Sequence, residues 1–252
     1  MVSRSAALLL LLALPGCSLP PLRGKAEVGK DAYAVFVADV PGGSDLFGVV
    51  PAGGAPIQIT FSPIVESDPA LSPDGSAVLF LRHQAIGGAD RPTLWVLNLL
   101  SGAERELALP PGWKLAPDRA AWSRDGTAIY VATARGPVRI AAPPRAPVAA
   151  MVTAGDRPAA DSSFMVLLGT PAFASVVSCG DGLCTVGRDG ERSPLASPAS
   201  GGTAWGADSV GYFSGDRFYV RPLGSGHARF LEWSPAPMHP RELTFFPGRP
   251  SS

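Results

Sequence analysis

Cysteine carries the most reactive side chain in this sequence, and it occurs at positions 17, 179 and 184. Cys179 and Cys184 enclose Gly-Asp-Gly-Leu, a turn sequence, between the β-favouring pairs Val176-Val177 and Thr185-Val186. We therefore expect the two cysteines to face each other across a hairpin, where a disulfide can form in an oxidising compartment. A redox or metal-binding role is the alternative, but the four-residue spacing is not thioredoxin-like and no nearby histidine completes a zinc site.

Cys17 stands at the end of a segment with the parts of an export signal. Arg4 supplies a positive charge, residues 6–14 form an apolar run, and Leu14-Pro15-Gly16 precede the cysteine. The apolar run has nine residues. A helix that spans a bilayer needs roughly twenty, so the run predicts a signal and not a permanent membrane span.

This ending resembles the lipobox of bacterial lipoproteins, with Pro15 in place of the residues usual at that position. The resemblance implies that residues 1–16 are a signal peptide and that Cys17 becomes the lipidated first residue of the mature chain. Ser18 follows where inner-membrane lipoproteins often carry Asp, which points to the periplasmic face of the outer membrane. Residues 17–30 are then predicted to form a lipidated tether. An ordinary secretory signal, cut elsewhere, is the alternative.

Charge and composition exclude some classes of partner. Lys plus Arg and Asp plus Glu are both 21, and removing residues 1–16 takes away only Arg4, so the mature chain is close to neutral. Such a chain has no basic field with which to neutralise phosphates, and we expect no nucleic-acid binding. Hydrophobic residues make up 46% of the sequence, which is ample material for a core.

Histidine and serine give no recognisable catalytic pattern. His83, His227 and His239 are far apart in the sequence, and only His239 has an acidic residue close by, Glu242. The Gly-x-Ser-x-Gly turn of α/β-hydrolases does not occur. We therefore expect no catalytic residue, no metal site and no cofactor.

A repeat defines the elements that carry these residues. The segment Ala70–Phe80 recurs as Ala121–Val131, 51 positions later, and both copies place an Asp-Gly turn between two β-favouring runs. We expect Asp74 and Asp125 to bond their own turns rather than a ligand, because a calcium loop needs several more oxygen ligands. The turn residues, all assigned a structural role, are Ser72, Pro73, Asp74 and Gly75 in the first copy and Ser123, Asp125 and Gly126 in the second.

The two copies, Leu71-Ser-Pro-Asp-Gly75 and Trp122-Ser-Arg-Asp-Gly126, resemble the W-S-P-D-G (WD40-like, or PD40) repeat of TolB-type propellers. The same repeat occurs in the propellers of prolyl-oligopeptidase-like proteases. Leu71 and Arg124 depart from the pattern. The resemblance implies a β-propeller, and because TolB-like proteins bind envelope lipoproteins, it implies a protein partner in the cell envelope.

The strand pattern agrees with this class. Segments such as Ala77–Leu81, Leu94–Leu97 and Met165–Leu168 are apolar on both faces, which predicts sheets stacked against neighbouring sheets. We predict an all-β propeller of four-stranded blades over residues 31–248, with 249–252 as a tail. Units of about forty residues give five blades, with six as the alternative, and Leu243–Phe246 is a candidate strand for closing the ring.

The leading functional hypothesis is a non-enzymatic, membrane-tethered propeller that offers its loops or central channel to an envelope protein. The alternative is a propeller that binds a small molecule or glycan, with weak enzymatic activity, in its central pocket. A third hypothesis is that the chain only supports a larger assembly. Five aromatic residues could either line a partner surface or pack between blades: Trp113, Trp205, Trp233, Phe245 and Phe246.

Overall fold

The computed structural model describes residues 21–86, 89–109, 115–123, 125–133, 136–143, 149–151, 166–167, 173–205, 208–224, 226–232 and 238–249. These residues form strands joined by turns and loops. Across these ranges, no helix is long and apolar enough to cross a membrane.

The strands of these ranges are short and follow one another closely. The first ten are β1 (Tyr33–Val40), β2 (Gly43–Val49), β3 (Ile57–Gln58), β4 (Val65–Leu71), β5 (Ala77–Ile86), β6 (Ala89–Asn98), β7 (Glu104–Glu106), β8 (Leu115–Trp122), β9 (Ala128–Thr133) and β10 (Gly136–Ala141). The next ten are β11 (Ala149–Met151), β12 (Val166–Leu167), β13 (Phe173–Cys179), β14 (Gly182–Gly187), β15 (Arg192–Ala196), β16 (Ser200–Ala204), β17 (Ser209–Ser214), β18 (Arg217–Pro222), β19 (Arg229–Leu231) and β20 (Met238–Phe246).

These strands form five antiparallel units of four strands. Strands β8–β11, β12–β15 and β16–β19 each make a separate sheet in chain order. The other strands share one larger sheet, but β2 and β4 meet in it only through the parallel pair Ser44–Val65. That sheet therefore divides into β20-β1-β2-β3 and β4–β7. The predicted all-β propeller of four-stranded blades is confirmed, with five blades numbered in chain order from the one that contains β1.

The last strand closes the ring. β20 pairs antiparallel with β1, with Tyr33 opposite Phe246 and Val35 opposite Thr244. β20 also contacts β16 of blade 5 and β4 of blade 2. The predicted closing strand Leu243–Phe246 is thus part of β20, although the strand begins earlier, at Met238.

Blades 1 and 2, 2 and 3, 4 and 5, and 5 and 1 pack face to face, which explains the doubly apolar strands. In β5, Val78 and Phe80 belong to the core between blades 1 and 2, whereas Leu79 and Leu81 belong to the core between blades 2 and 3. Successive side chains of a strand point to opposite faces, so a strand between two neighbours must be apolar at every position. Trp122 of the repeat also bridges two blades, because its Nε1–H donates to the carbonyl oxygen of Ala70 over 2.9 Å.

Part of the predicted tether belongs to the folded body. Leu22 is 1% exposed and lies in the core between blades 1 and 2, in the same cluster as Val35 and Ile59. Gly48 leaves room for it, since a Cβ at that position would come within 2.5 Å of the Leu22 side chain. The tether predicted over residues 17–30 is therefore too long, because residues 21–30 are held on the blades.

We predict that Leu22→Ala lowers the free energy of unfolding by about 2–5 kcal/mol, the usual cost of truncating a buried leucine. Lys25→Ala, at an exposed position three residues later, is the control and should change it little. Chemical denaturation of the two variants checks this. Equal midpoints would place Leu22 in a solvated tether.

Candidate functional site

The first Asp-Gly turn is held by its own side chains. Asp74 Oδ1 accepts hydrogen bonds from Ser72 Oγ over 2.7 Å and from the Ser76 N–H over 3.0 Å. Ser72 Oγ in turn accepts a bond from the Ala77 N–H over 2.9 Å, and Gly75 takes a positive φ of 69°. This aspartate therefore fixes the entry into β5.

The second copy repeats the arrangement. Asp125 Oδ1 accepts from Ser123 Oγ over 2.6 Å and from the Thr127 N–H over 3.0 Å, and Gly126 has the same φ of 69°. The bonds from Ser123 and Thr127 lower the pKa of Asp125 to about 2. Both aspartates thus have a structural role in their turns.

Cys179 and Cys184 form a disulfide, with their Cα atoms 5.8 Å apart. The bond lies within the β13–β14 hairpin, where Cys179 is opposite Gly182 and Cys184 is opposite Val177. It therefore links the two middle strands of blade 4. Cys17 lies outside the described residues.

A pocket of about 300 Å³ lies where the five blades meet. We call it the axial pocket. Polar and apolar surface line it in about equal measure, and every blade contributes residues: Leu243 from blade 1, Pro69, Ala70, Leu81 and Leu94 from blade 2, Ala120 from blade 3, Val176, Val177, Ser178 and Leu183 from blade 4, and Gly201 and Gly202 from blade 5. Two carboxyl groups join them, those of Asp68 on β4 and Glu242 on β20. A cavity that combines apolar side chains with a few convergent polar groups is the usual form of a ligand site.

The two carboxyl groups sit on strained backbone. Asp68 has a φ of 54° and Glu242 a φ of 55°, a region that residues with a Cβ rarely adopt. The Asp68 N–H donates to Glu242 Oε2 over 2.7 Å, so the two irregular positions hold each other. Burial raises the pKa of Glu242, and the nearby Asp68 carboxylate adds to that rise against the hydrogen bond from the Asp68 N–H.

A chain of three side chains begins next to this pair, at one end of blade 2. Ser67 Oγ lies 2.7 Å from His83 Nε2, and His83 Nδ1 lies 2.8 Å from Asp90 Oδ2. Ser67 Oγ also donates a hydrogen bond to Asp68 Oδ2 over 2.8 Å, which connects these side chains to a residue of the axial pocket. These three residues, Ser67, His83 and Asp90, are called the Ser-His-Asp chain below.

The histidines differ here from the sequence-based expectation. His83, with no acidic neighbour in sequence, has Asp90 beside it because the β5–β6 hairpin places the two ends together. His239 Nδ1 contacts Asp39 Oδ2 over 2.9 Å rather than Glu242. In the described part of the chain, no group of three or more His, Cys, Asp or Glu side chains could hold a metal.

A buried ion pair joins the two strands that carry Ser67 and His83. Glu66 precedes Ser67 and Arg82 precedes His83, and Arg82 Nε donates to Glu66 Oε1 over 2.9 Å. Thr60 Oγ1 donates to the other Glu66 oxygen over 2.5 Å. Burial raises the pKa of Glu66 to about 7, against the hydrogen bonds from Thr60 and Arg82. The pair fixes β4 against β5 at the positions just before the serine and the histidine.

The aromatic candidates divide as follows. Trp205 and Phe245 stack with ring centroids 4.5 Å apart, and Phe246 belongs to the core between blades 1 and 2, so these three lie between blades. Trp113 and Trp233 lie outside the described residues. A different aromatic residue is open to solvent: Phe61 is 78% exposed in the loop before β4.

Fold and site together define a five-bladed β-propeller with an axial pocket. The sequence matches no known family and no curated protein. Among solved structures the chain is similar to TolB from Acinetobacter baumannii, with 15% identity and a TM-score of 0.39 over 82% of this chain and 53% of that one. The chain thus spans about half the length of that TolB.

Two further solved structures are similar. For the putative TolB from Agrobacterium tumefaciens the identity is 18% and the TM-score 0.35, over 86% of this chain and 71% of that one. For Porphyromonas gingivalis dipeptidyl peptidase 4 the values are 12% and 0.36, over 75% of this chain and 36% of that one. Function does not follow from similarity at this level.

We predict that Arg82→Met lowers the free energy of unfolding by about 3–5 kcal/mol near pH 8.5, because a buried partner of Glu66 is lost. Without Arg82 the folded chain keeps Glu66 protonated, whereas the unfolded chain ionises it above a pKa of 4.5. The folded state then binds more protons, so its stability falls as pH rises. The unmodified folded chain binds the same proton below the Glu66 pKa of about 7, so the two chains differ in protonation only above that pH, and the loss should be smaller near pH 5.5.

Denaturation at both pH values measures this effect. Glu66→Gln with Arg82→Met is the control, since it has no buried carboxyl group to titrate. A loss from Arg82→Met that is the same at both pH values would contradict the proposed coupling.

Proposed function

We propose that this protein is a lipid-anchored propeller of the bacterial cell envelope that binds a partner protein at the end of the ring where the axial pocket carries Asp68 and Glu242. The observation that carries the proposal is the convergence of all five blades on one pocket with two carboxyl groups. A site made by every blade depends on the closed ring, as expected when the ring is the binding platform.

Exposed apolar side chains support binding at this end. Phe61 and Val65, 78% and 44% exposed, stand in the loop before β4 and at its first position. Val65 is opposite His83 in the β4–β5 register, so it lies beside the Ser-His-Asp chain. Aromatic side chains next to acidic groups suit a partner segment that is both apolar and basic.

Site-specific photo-crosslinking in intact envelopes tests the surface. A photoreactive residue at Phe61 should give one discrete protein adduct, whereas the same residue at Phe230, 43% exposed on the outer strand of blade 5, should give none. Adding Asp68→Asn, which keeps the tolerance for positive φ, should lower the yield of the Phe61 adduct. Adducts of equal yield from both positions, or from neither, would contradict the proposal.

The anchor is proposed from the lipobox-like ending at Cys17. Two or more acyl chains, at about 0.8 kcal/mol per buried methylene, make release from a membrane negligible. Mass spectrometry of the mature chain should find an acylated Cys17 at the amino terminus, and Cys17→Ser should move the protein to the soluble envelope fraction. A mature chain that begins at another residue and carries no acyl group would disprove the anchor. That result would not bear on the binding surface.

Binding of a small molecule in the axial pocket is the second candidate. Two carboxyl groups meet leucine and valine side chains there, and that combination suits a cationic ligand with an apolar part. A pocket ligand would leave the Phe61 crosslink absent. Its binding would instead weaken with Glu242→Gln, measured by calorimetry against amphipathic amines.

A further inference from the structure

The geometry points to a second activity at this end of the ring: we propose that Ser67 is a nucleophile activated by His83 and oriented through Asp90, and that it hydrolyses small esters. The inference goes beyond the proposed partner binding and does not depend on the lipid anchor. It rests on which atoms of the three side chains meet.

The atoms match the roles that nucleophilic catalysis requires. His83 Nε2 lies 2.7 Å from Ser67 Oγ, so it can take the serine proton once the hydroxyl turns from Asp68 Oδ2 to the imidazole. The opposite ring nitrogen, Nδ1, lies 2.8 Å from Asp90 Oδ2. That contact fixes the orientation of the ring and favours the tautomer with its proton on Nδ1. Asp90 is thus a positioning residue, which acts only through His83.

The exposure of the three side chains is compatible with a nucleophilic serine. Ser67 is half-buried, the His83 side chain is 26% exposed and that of Asp90 is 60% exposed, so exposure to solvent rises from Ser67 toward Asp90. A small ester can therefore reach Ser67 from the solvent side. The buried Glu66–Arg82 pair holds both strands in place.

The reaction balances with water as the co-reactant. Ser67 Oγ bonds to the ester carbonyl carbon while its proton passes to His83 Nε2, and the alcohol leaves with that proton as the carbon–oxygen bond of the ester breaks. Water then attacks the acyl-Ser67, giving its proton to His83. The carboxylic acid departs, and Ser67 regains its hydrogen from His83.

The surroundings select the substrate. The carboxyl groups of Asp68, which accepts a hydrogen bond from Ser67, and of Glu242, which accepts one from the Asp68 N–H, favour a cationic group near the ester. The same carboxylates oppose a developing oxyanion. We therefore expect slow turnover, with acceleration mainly from the general base, typically about 10²–10⁴-fold.

A fluorophosphonate probe tests the nucleophile directly on the purified mature chain, since Oγ bonds to phosphorus as fluoride leaves. We expect one equivalent of probe on Ser67 by peptide mass spectrometry. His83→Gln should slow the labelling by at least about 10²-fold, and Asp90→Asn should slow it less, with Asp90→Glu restoring part of the rate. Circular dichroism of each variant checks that the chain is folded.

Ser209 provides a matched control. Its Oγ lies 3.0 Å from the carboxylate of the adjacent Asp208, just as Ser67 Oγ lies close to the adjacent Asp68. Ser209 belongs to blade 5. Ser209→Ala should leave the labelling of Ser67 unchanged. An unlabelled Ser67, or labelling at a rate that His83→Gln does not change, would overturn the proposal. The labelling of the unmodified chain decides this even where a Ser67→Ala variant does not fold.

Substrate choice has its own readout. A 4-nitrophenyl ester of an amino acid with its amino group free should be cleaved about fivefold faster than its N-acetylated form, the effect of a charge pair at about 4 Å in water. Equal rates for the two esters would overturn the assigned substrate class. Failure of these assays leaves the Phe61 crosslink standing, so the two proposals fail separately.

Discussion

The pairing of β20 with β1 is the interaction on which the rest of the structure depends. It joins segments about 200 positions apart, as Arg241 and Asp39 show with their ion pair at 2.7 Å. Without it, β1 would be an exposed edge whose side chains are apolar on both faces. The same pairing carries Glu242 and Leu243 to the axis. The axial pocket therefore exists only in the closed ring, and its chemistry is coupled to the stability of the closure.

A buried ion pair interrupts this apolar architecture at the start of blade 2. Glu66 and Arg82 are buried, and each finds a partner, since Arg82 also contacts Glu104 over 2.7 Å. A buried ion pair adds little net stability, but its directional bonds fix the position of the strands that carry it. Here those strands carry Ser67 and His83 one residue further along. The polar network is thus better explained by positioning than by stability.

Much of the fold follows from the sequence. The repeated Asp-Gly turns, the doubly apolar β5 and the closing strand are local patterns with one physical solution, stacked four-stranded sheets. Leu22 escaped prediction because one leucine among prolines has no period to show that it is buried. Its position depends on Gly48, more than twenty residues away, leaving space for its side chain.

The site was harder to foresee because it depends on register. His83 and Asp90 meet only through the β5–β6 hairpin, and Ser67 reaches His83 beside a register shift between Ser67 and Ala70, where Asp68 takes a positive φ. A shift of one residue would turn Ser67 to the opposite face of β4. The same bulge brings Asp68 against Glu242. One backbone irregularity therefore creates both the acidic pair and the approach of serine to histidine.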